Sequence, residues 1–248
     1  METTGLLLGG EDLPASTNQT FDRTCPLDDE PVTRAAAAGI EDAKHAVDIA
    51  ASAFPRWSAS PAVERERILT QAGTALRART AQFVEAMAEE TGAGETWARF
   101  NVDLAVDILV AAAALPSKIK DQSIPSNRPG CKAMATRQAA GVVFSMAPWN
   151  APVILGVRSL ATPLACGNTV VFKSSEYCPR THRLIVEALI EAGVPGGALN
   201  LISSAPTDTN AVVEAVIAHP AVRRVNFTGS TRVGRIIAQI AGRYLKPV

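Results

Sequence analysis

The stretch Gly141–Asn150, Gly-Val-Val-Phe-Ser-Met-Ala-Pro-Trp-Asn, decides the fold. It begins as an uncharged, β-rich run and stops at a Pro-Trp-Asn-Ala-Pro turn, and a helix-compatible segment follows at once. The pattern predicts a buried strand, a loop and a helix. In open α/β sheets, ligands collect at the carboxyl ends of the strands. We therefore expect Asn150 to face a crevice rather than the core.

Asn150 is the candidate catalytic side chain. Its amide donates hydrogen bonds without titrating, and Pro148 and Pro152 restrict the backbone that aims it. These properties suit a donor that stabilises an oxyanion. The alternative is an asparagine that only satisfies loop backbone groups, and for an isolated Asn beside Pro that alternative is favoured.

Composition limits the classes of function. The 248 residues are 47% hydrophobic, and 24 basic residues balance 24 acidic ones. One large or two modest domains fit this length, and zero net charge recommends neither nucleic acid nor an anionic membrane as a partner. Four separated cysteines without a C-x-x-C pair argue against a metal site. With no secretory signal visible, we expect a cytoplasmic protein.

The chain before Gly141 falls into three parts. Residues 1 to about 33 have the pattern of short strands, and Ile40–Leu115 carries four helical runs. Ser123–Gln138 has the pattern of a protruding hairpin, which is the candidate oligomerisation element. We predict N-terminal strands and helices over 1–121, a bridging hairpin over 122–140, and βα units over 141–248.

Four βα units follow the hairpin. The predicted strands are 141–147, 169–173, 199–203 and 223–227, and the predicted helices are 152–165, 179–192, 207–218 and one from the 229–234 loop to about 244. Such repetition predicts an α/β fold with a Rossmann-like, doubly wound parallel sheet that holds a nucleotide.

Two features at strand ends suggest a dinucleotide. Glu176, just past Lys173 at the end of the second strand, is placed to accept hydrogen bonds from a ribose diol, and its charge would repel a 2′-phosphate, which favours NAD over NADP. Alone, an exposed charge pair is the favoured alternative. The loop Gly229–Gly234 lets the backbone and the next helix approach a pyrophosphate, but such loops also occur without phosphate.

Four motifs together resemble the NAD(P)-dependent aldehyde dehydrogenase superfamily. They are 148–150 (PWN), 171–176 (VFKSSE), 191–200 (EAGVPGGALN) and 227–234 (FTGSTRVG), in the order and spacing of that family. The resemblance implies that Asn150 donates to the substrate oxygen. It also implies cofactor contacts for Met146, Ala147, Pro148 and Trp149 on the nicotinamide ribose side, Lys173 and Glu176 at the adenosine ribose, and Gly229, Ser230, Val233 and Gly234 near the pyrophosphate. Ser203–Pro206 departs from the usual family glycines.

Within the superfamily, the chain is most similar to the salicylaldehyde and vanillin dehydrogenase branch. The carrying residues are 95–102 (ETWARFNV) and the small Ala151 after Asn150. The resemblance implies an aromatic aldehyde substrate, with room for its ring at Ala151, stacking on Trp97 and a phenolic oxygen facing Arg158. For Trp97 and Arg158, helix packing and a surface cation are equally good interpretations.

The family mechanism uses a cysteine nucleophile and a glutamate base, and neither is found in its family motif in this chain. We therefore expect the cofactor-binding half of an enzyme that assembles as a homo-oligomer in its full-length form, without normal turnover by this half alone. Two alternatives are a nucleotide-binding module that has lost its chemistry and a subunit-interaction fragment.

Overall fold

The computed structural model describes the whole chain, residues 1–248. Five short strands come first: β1 (Glu2–Thr4), β2 (Leu6–Leu8), β3 (Glu11–Leu13), β4 (Thr20–Thr24) and β5 (Pro31–Ala36). They divide between two sheets. Strands β1, β5 and β4 form a small sheet in that order, whereas β2 and β3 extend the main sheet described below.

Four helices follow: α1 (Ile40–Ser58), α2 (Ala62–Ala78), α3 (Thr80–Thr91) and α4 (Glu95–Ala113). The Asp42 carboxylate caps the start of α1 by accepting from the Gly39 N–H at 2.9 Å. Helix α3 ends at Gly92, whose φ of 69° is left-handed and favours glycine. Each of these two helix ends is therefore set by residues close to it in the sequence.

The predicted hairpin is present as β6 (Gln122–Ile124) and β7 (Ala133–Ala135), paired antiparallel. Ile124 and Met134 are 47% and 64% exposed, so the hairpin stands away from the core. The proposed division at 121 and 140 stays a prediction.

The four predicted βα units are confirmed. They consist of β8 (Val142–Met146), α5 (Pro152–Ala165), β9 (Thr169–Lys173), α6 (Pro179–Glu191), β10 (Leu199–Ile202), α7 (Thr209–Ala218), β11 (Val222–Phe227) and α8 (Thr231–Arg243). Their strands pair in parallel in the order β11-β8-β9-β10. The sheet is not wholly parallel, because β2 adds antiparallel to β10 and β3 antiparallel to β2.

Helices cover both faces of the main sheet, as a doubly wound fold requires. One core lies under α5 and α6, and the other lies under α1, α7 and α8. Helix α1 packs on strands, but α2 and α4 pack on α5 and α6 instead. Of the four Ala-rich helices, α1 lies on the main sheet, and α3 contacts β4 and β5 of the small sheet. Ten of the 14 residues of α5 are buried, because this helix has partners on both sides.

One segment, Glu95–Lys118, is long and apolar enough to cross a membrane by length and composition alone. In the fold, 44% of its most apolar window is buried. Helix α4, which makes up most of this segment, packs against α2 and α5, an arrangement equally typical of the core helix of a globular protein. The predicted absence of a membrane partner stays a prediction.

Candidate cofactor and active site

A cleft of about 540 Å³ lies at the carboxyl edge of β8, β9 and β11. This size falls within the usual range for small-molecule sites. Nine of the ten predicted cofactor residues line it: Met146, Ala147, Pro148, Trp149, Lys173, Glu176, Gly229, Ser230 and Val233. Gly234 does not line the cleft. It packs behind it, where an added Cβ would lie 3.4 Å from the Phe227 ring.

Strand register explains why these residues meet. Met146 is the register partner of Lys173 on one side and of Phe227 on the other, so β8, β9 and β11 end at one edge. Beyond the last pair, the Thr228 N–H still donates to the Met146 carbonyl at 3.2 Å. Side chains from loops distant in sequence therefore converge on one edge of the sheet.

Lys173 is a buried cation at the floor of the cleft. Its side chain is 6% exposed, and its Nζ lies 3.8 Å from the Glu176 carboxylate. Burial lowers the pKa of Lys173, and the charge of Glu176 partly offsets that effect. The alternative of an exposed charge pair is therefore wrong for Lys173, whereas the side chain of Glu176 is 30% exposed. The ammonium group donates to the Ser174 carbonyl at 3.0 Å and has further N–H donors for a ligand.

The N-terminus of α8 forms the opposite wall. Ser230 is its N-cap and accepts from the Val233 N–H at 3.3 Å. No acidic residue occupies the first turn, so the positive end of the helix dipole is not offset there. Gly229 lets the loop backbone lie close to the Phe227 ring, because a Cβ at this position would lie 2.4 Å from Cζ of Phe227. An anion such as a pyrophosphate fits this wall.

Ser174 gives a second indication of a polar ligand. Its Oγ is buried and has no hydrogen-bond partner, although the residue lines the cleft. Buried polar atoms are seldom left unpaired, so an unpaired hydroxyl beside a donor-rich cleft fits a bound polyol or phosphate. The residues present therefore fit a dinucleotide.

Sequence reasoning missed the wall formed by α7 and the inner face of α8. The additional lining residues include Thr209, Asn210, Val213, Ile236, Ile237 and Ile240. The residues of α8 carried a readable signal, because positions 233, 236, 237 and 240 have helical spacing on one apolar face. The residues of α7 carried no such signal, because the segment before this helix, Ser203–Pro206, departs from the usual glycines of the family.

Asn150 is exposed beside the cleft and does not line it. Its backbone carbonyl accepts a hydrogen bond from the indole Nε1 of Trp97 at 3.2 Å. Asn101 adds a contact between α4 and the start of α5, since its side-chain oxygen accepts from the Ile154 N–H at 3.5 Å. The predicted oxyanion donor thus sits on a loop held by α4.

The three predicted substrate residues do not line the cleft either. Trp97 is 43% exposed and stacks on Phe100 with ring centroids 5.5 Å apart. Ala151 is half-buried at the N-cap of α5, and Arg158 is exposed further along that helix. The structure brings Trp97 to the Asn150 loop and leaves Arg158 on the protein surface. Their substrate roles stay predictions.

None of the four cysteines lines the cleft. Cys25 and Cys178 are buried, Cys166 is half-buried and Cys131 is exposed next to the hairpin. Burial raises the pKa of Cys178 well above its ordinary value, so this thiol is a poor nucleophile.

A buried acid, Glu90, fastens α3 to the start of α6. Its carboxylate accepts from the Arg180 and Thr181 N–H groups at 2.8 and 2.9 Å and from the Thr181 hydroxyl at 2.7 Å. Burial raises the pKa of Glu90 to about 7, although these hydrogen bonds favour the ionised form. The sequence pattern had placed Glu90 in an ordinary amphipathic helix.

A sequence profile of the aldehyde dehydrogenase family matches residues 13–248. The chain belongs to the aldehyde dehydrogenase family. Among curated relatives, a vanillin dehydrogenase of Pseudomonas sp. strain HR199 is 56% identical over 242 residues, which are 98% of this chain and 50% of that protein. The chain thus spans about half the length of the family members that it matches.

Solved structures of the family agree. A salicylaldehyde dehydrogenase from Pseudomonas putida G7, complexed with salicylaldehyde, superposes with a TM-score of 0.97 at 40% identity over 100% of this chain and 51% of that one. An NAD-dependent benzaldehyde dehydrogenase from Corynebacterium glutamicum gives 0.94 at 32% identity over 99% and 53%. The predicted family and fold are confirmed.

Proposed function

We propose that this chain is the cofactor-binding half of an NAD-dependent dehydrogenase that oxidises aromatic aldehydes to carboxylic acids. The observation that carries the proposal is the convergence of Lys173, Glu176 and the α8 N-terminus on one cleft beside Asn150. The similarity to vanillin, salicylaldehyde and benzaldehyde dehydrogenases supports the substrate class.

Bound NAD would supply a hydride acceptor for the aldehyde carbon. The chain's own residues bind and orient the NAD and the substrate. Lys173 and Glu176 hold the adenosine ribose hydroxyls, and the N–H groups at the start of α8 hold the pyrophosphate. The Asn150 amide donates to the substrate oxygen as negative charge develops on it, a contact worth about 3–4 kcal/mol when preorganised.

The nucleophile and the base are proposed to lie outside these 248 residues, since no cysteine reaches the cleft. Calorimetry should therefore show NAD binding by the purified chain. Incubation with NAD and vanillin or salicylaldehyde should produce no NADH. Absence of NAD binding would contradict the cofactor site, and NADH formation would contradict the division of labour.

Glu176 is proposed to set the preference for NAD. Its charge, 3.8 Å from the Lys173 ammonium, would repel a 2′-phosphate on the ribose. Glu176→Gln should therefore lower the ratio of the NADP dissociation constant to the NAD dissociation constant by about tenfold. An unchanged ratio would contradict this assignment.

The hairpin β6–β7 is proposed to join copies of the chain into a homo-oligomer. Its strands are exposed and its outer edges are unpaired within the chain. Deletion of residues 122–135 should leave only monomers in analytical ultracentrifugation. A cytoplasmic location also stays a prediction.

A further inference from the structure

We propose that His182 is a positioning residue that fixes the cofactor loop Ser174–Glu176 from behind the cleft. This inference rests on the proposed function above. His182 lies in the first turn of α6, is fully buried and does not line the cleft. Its role would be indirect, through the backbone of Ser175, which lines the cleft.

The decisive contact is a hydrogen bond from the Ser175 N–H to Nδ1 of His182 at 3.1 Å. An imidazole nitrogen that accepts carries no proton, so the proton of the neutral ring is on Nε2. That nitrogen lies 3.7 Å from Sγ of Cys178, the N-cap residue of α6. The ring therefore links the loop after β9 to the start of its own helix.

Packing leaves the ring little freedom. It lies against Phe172, with centroids 4.9 Å apart. Gly156 of α5 also lies beside the ring, since a Cβ there would lie 3.6 Å from Cδ2 of His182, in ordinary van der Waals contact. Burial and the charge of Lys173 lower the pKa of His182 to about 3, so the ring is neutral and Nδ1 stays an acceptor at neutral pH.

The loop needs this acceptor. Ser175 is buried, and it lies between Lys173 and Glu176, the two residues proposed to hold the ribose. The preceding N–H, that of Ser174, is fixed by the Ile202 carbonyl at 2.9 Å. Without Nδ1, the Ser175 N–H would be buried and unpaired, a condition that proteins relieve by moving the backbone. Movement here displaces Lys173 relative to Glu176.

Two variants separate the acceptor from the volume of the ring. His182→Asn keeps an acceptor near the position of Nδ1, and His182→Leu fills the space without one. We expect His182→Leu to bind AMP and NAD about tenfold more weakly in calorimetry and to lose hydrogen-exchange protection at the Ser175 amide. His182→Asn should stay within about twofold of the unsubstituted chain in affinity and keep that protection.

Equal AMP affinity of His182→Leu and the unsubstituted chain would overturn the inference and leave the NAD site intact. If the unsubstituted chain bound neither AMP nor NAD, the proposed function would fail, and unchanged Ser175 protection in His182→Leu would then overturn the role of His182 as well. Nitrogen-15 NMR of the unsubstituted chain decides the tautomer without a variant. A neutral ring protonated on Nε2 is expected, and a proton on Nδ1 would overturn the inference.

Discussion

The indole Nε1 of Trp97 donates a hydrogen bond to the backbone carbonyl of Asn150 across 3.2 Å. Helix α4 is thereby connected to the loop that carries the proposed oxyanion donor. Trp97 also stacks on Phe100, which limits the orientations of the indole. In this structure Trp97 holds the loop, whether or not its face also receives an aromatic substrate.

Trp97→Phe removes the indole donor and keeps an aromatic ring. Since Trp97 is 43% exposed, the free energy of unfolding should fall by less than about 1 kcal/mol. Amide hydrogen exchange across 149–151 should become faster, because the loop loses its contact with α4. Phe100→Leu is the matched control, since Phe100 stacks on Trp97 without bonding to the loop. Equal exchange in both variants would contradict the role of the indole.

Lys173→Met removes the buried ammonium group at the floor of the cleft. A charge-assisted hydrogen bond to a ribose hydroxyl would be lost, so the NAD dissociation constant should rise about 10- to 100-fold in calorimetry. Lys246→Met is the control, because Lys246 donates to the His219 and Val222 carbonyls at the opposite edge of the sheet. If both variants bound NAD like the unsubstituted chain, Lys173 would have no part in the site.

Gly229→Ala places a methyl group 2.4 Å from Cζ of Phe227, so the ring must swing away. Because the clash is with the far end of a side chain, the free energy of unfolding should fall by only about 1 kcal/mol, whereas NAD affinity should fall about tenfold. The control is Gly242→Ala in α8, the helix that follows Gly229, where nothing lies within 4 Å of the new methyl group. It should raise stability by up to about 1 kcal/mol and leave NAD affinity unchanged.

Glu90 should make stability depend on pH. Its pKa is raised by burial from 4.5 to about 7, so its contribution to folding is fully present below pH 4.5 and is lost as pH rises through 7. From pH 4.5 to 8, this group should lower the free energy of unfolding by about 3 kcal/mol. Urea unfolding of the chain and of Glu90→Gln at several pH values measures the difference. Parallel profiles would show that Glu90 does not titrate in this range.

Local signals predicted much of the fold. Pro152 and Pro179 at helix starts marked α5 and α6, whose predicted ranges agree with the observed bounds within one residue. The addition of β2 to β10 could not be predicted, because this pairing joins Leu7 to Leu201 across most of the chain. The position of α2 and α4 on other helices was missed for the same reason: an apolar face does not name its partner.

The candidate site shows the same contrast between local sequence signals and contacts from distant parts of the chain. Residues at strand ends were predicted, because one edge of a parallel sheet collects them. The burial of Lys173 and the hydrogen bonds of Glu90 depend on elements packed from elsewhere in the chain. A short window of sequence contains neither a neighbour's charge nor its distance, so such groups look like ordinary helix or strand-end residues.

Helices cover the two faces of the main sheet to unequal depth. On the α5 and α6 side, α2 and α4 form a second layer, whereas on the other side α1, α7 and α8 form a single layer against the strands. Local unfolding should therefore begin with the separation of α7 and α8 from the sheet, and a protease should cut the chain there first. A molecule bound across the cleft would contact both these two helices and the strand ends. Binding should therefore oppose the local opening and slow cleavage by the protease.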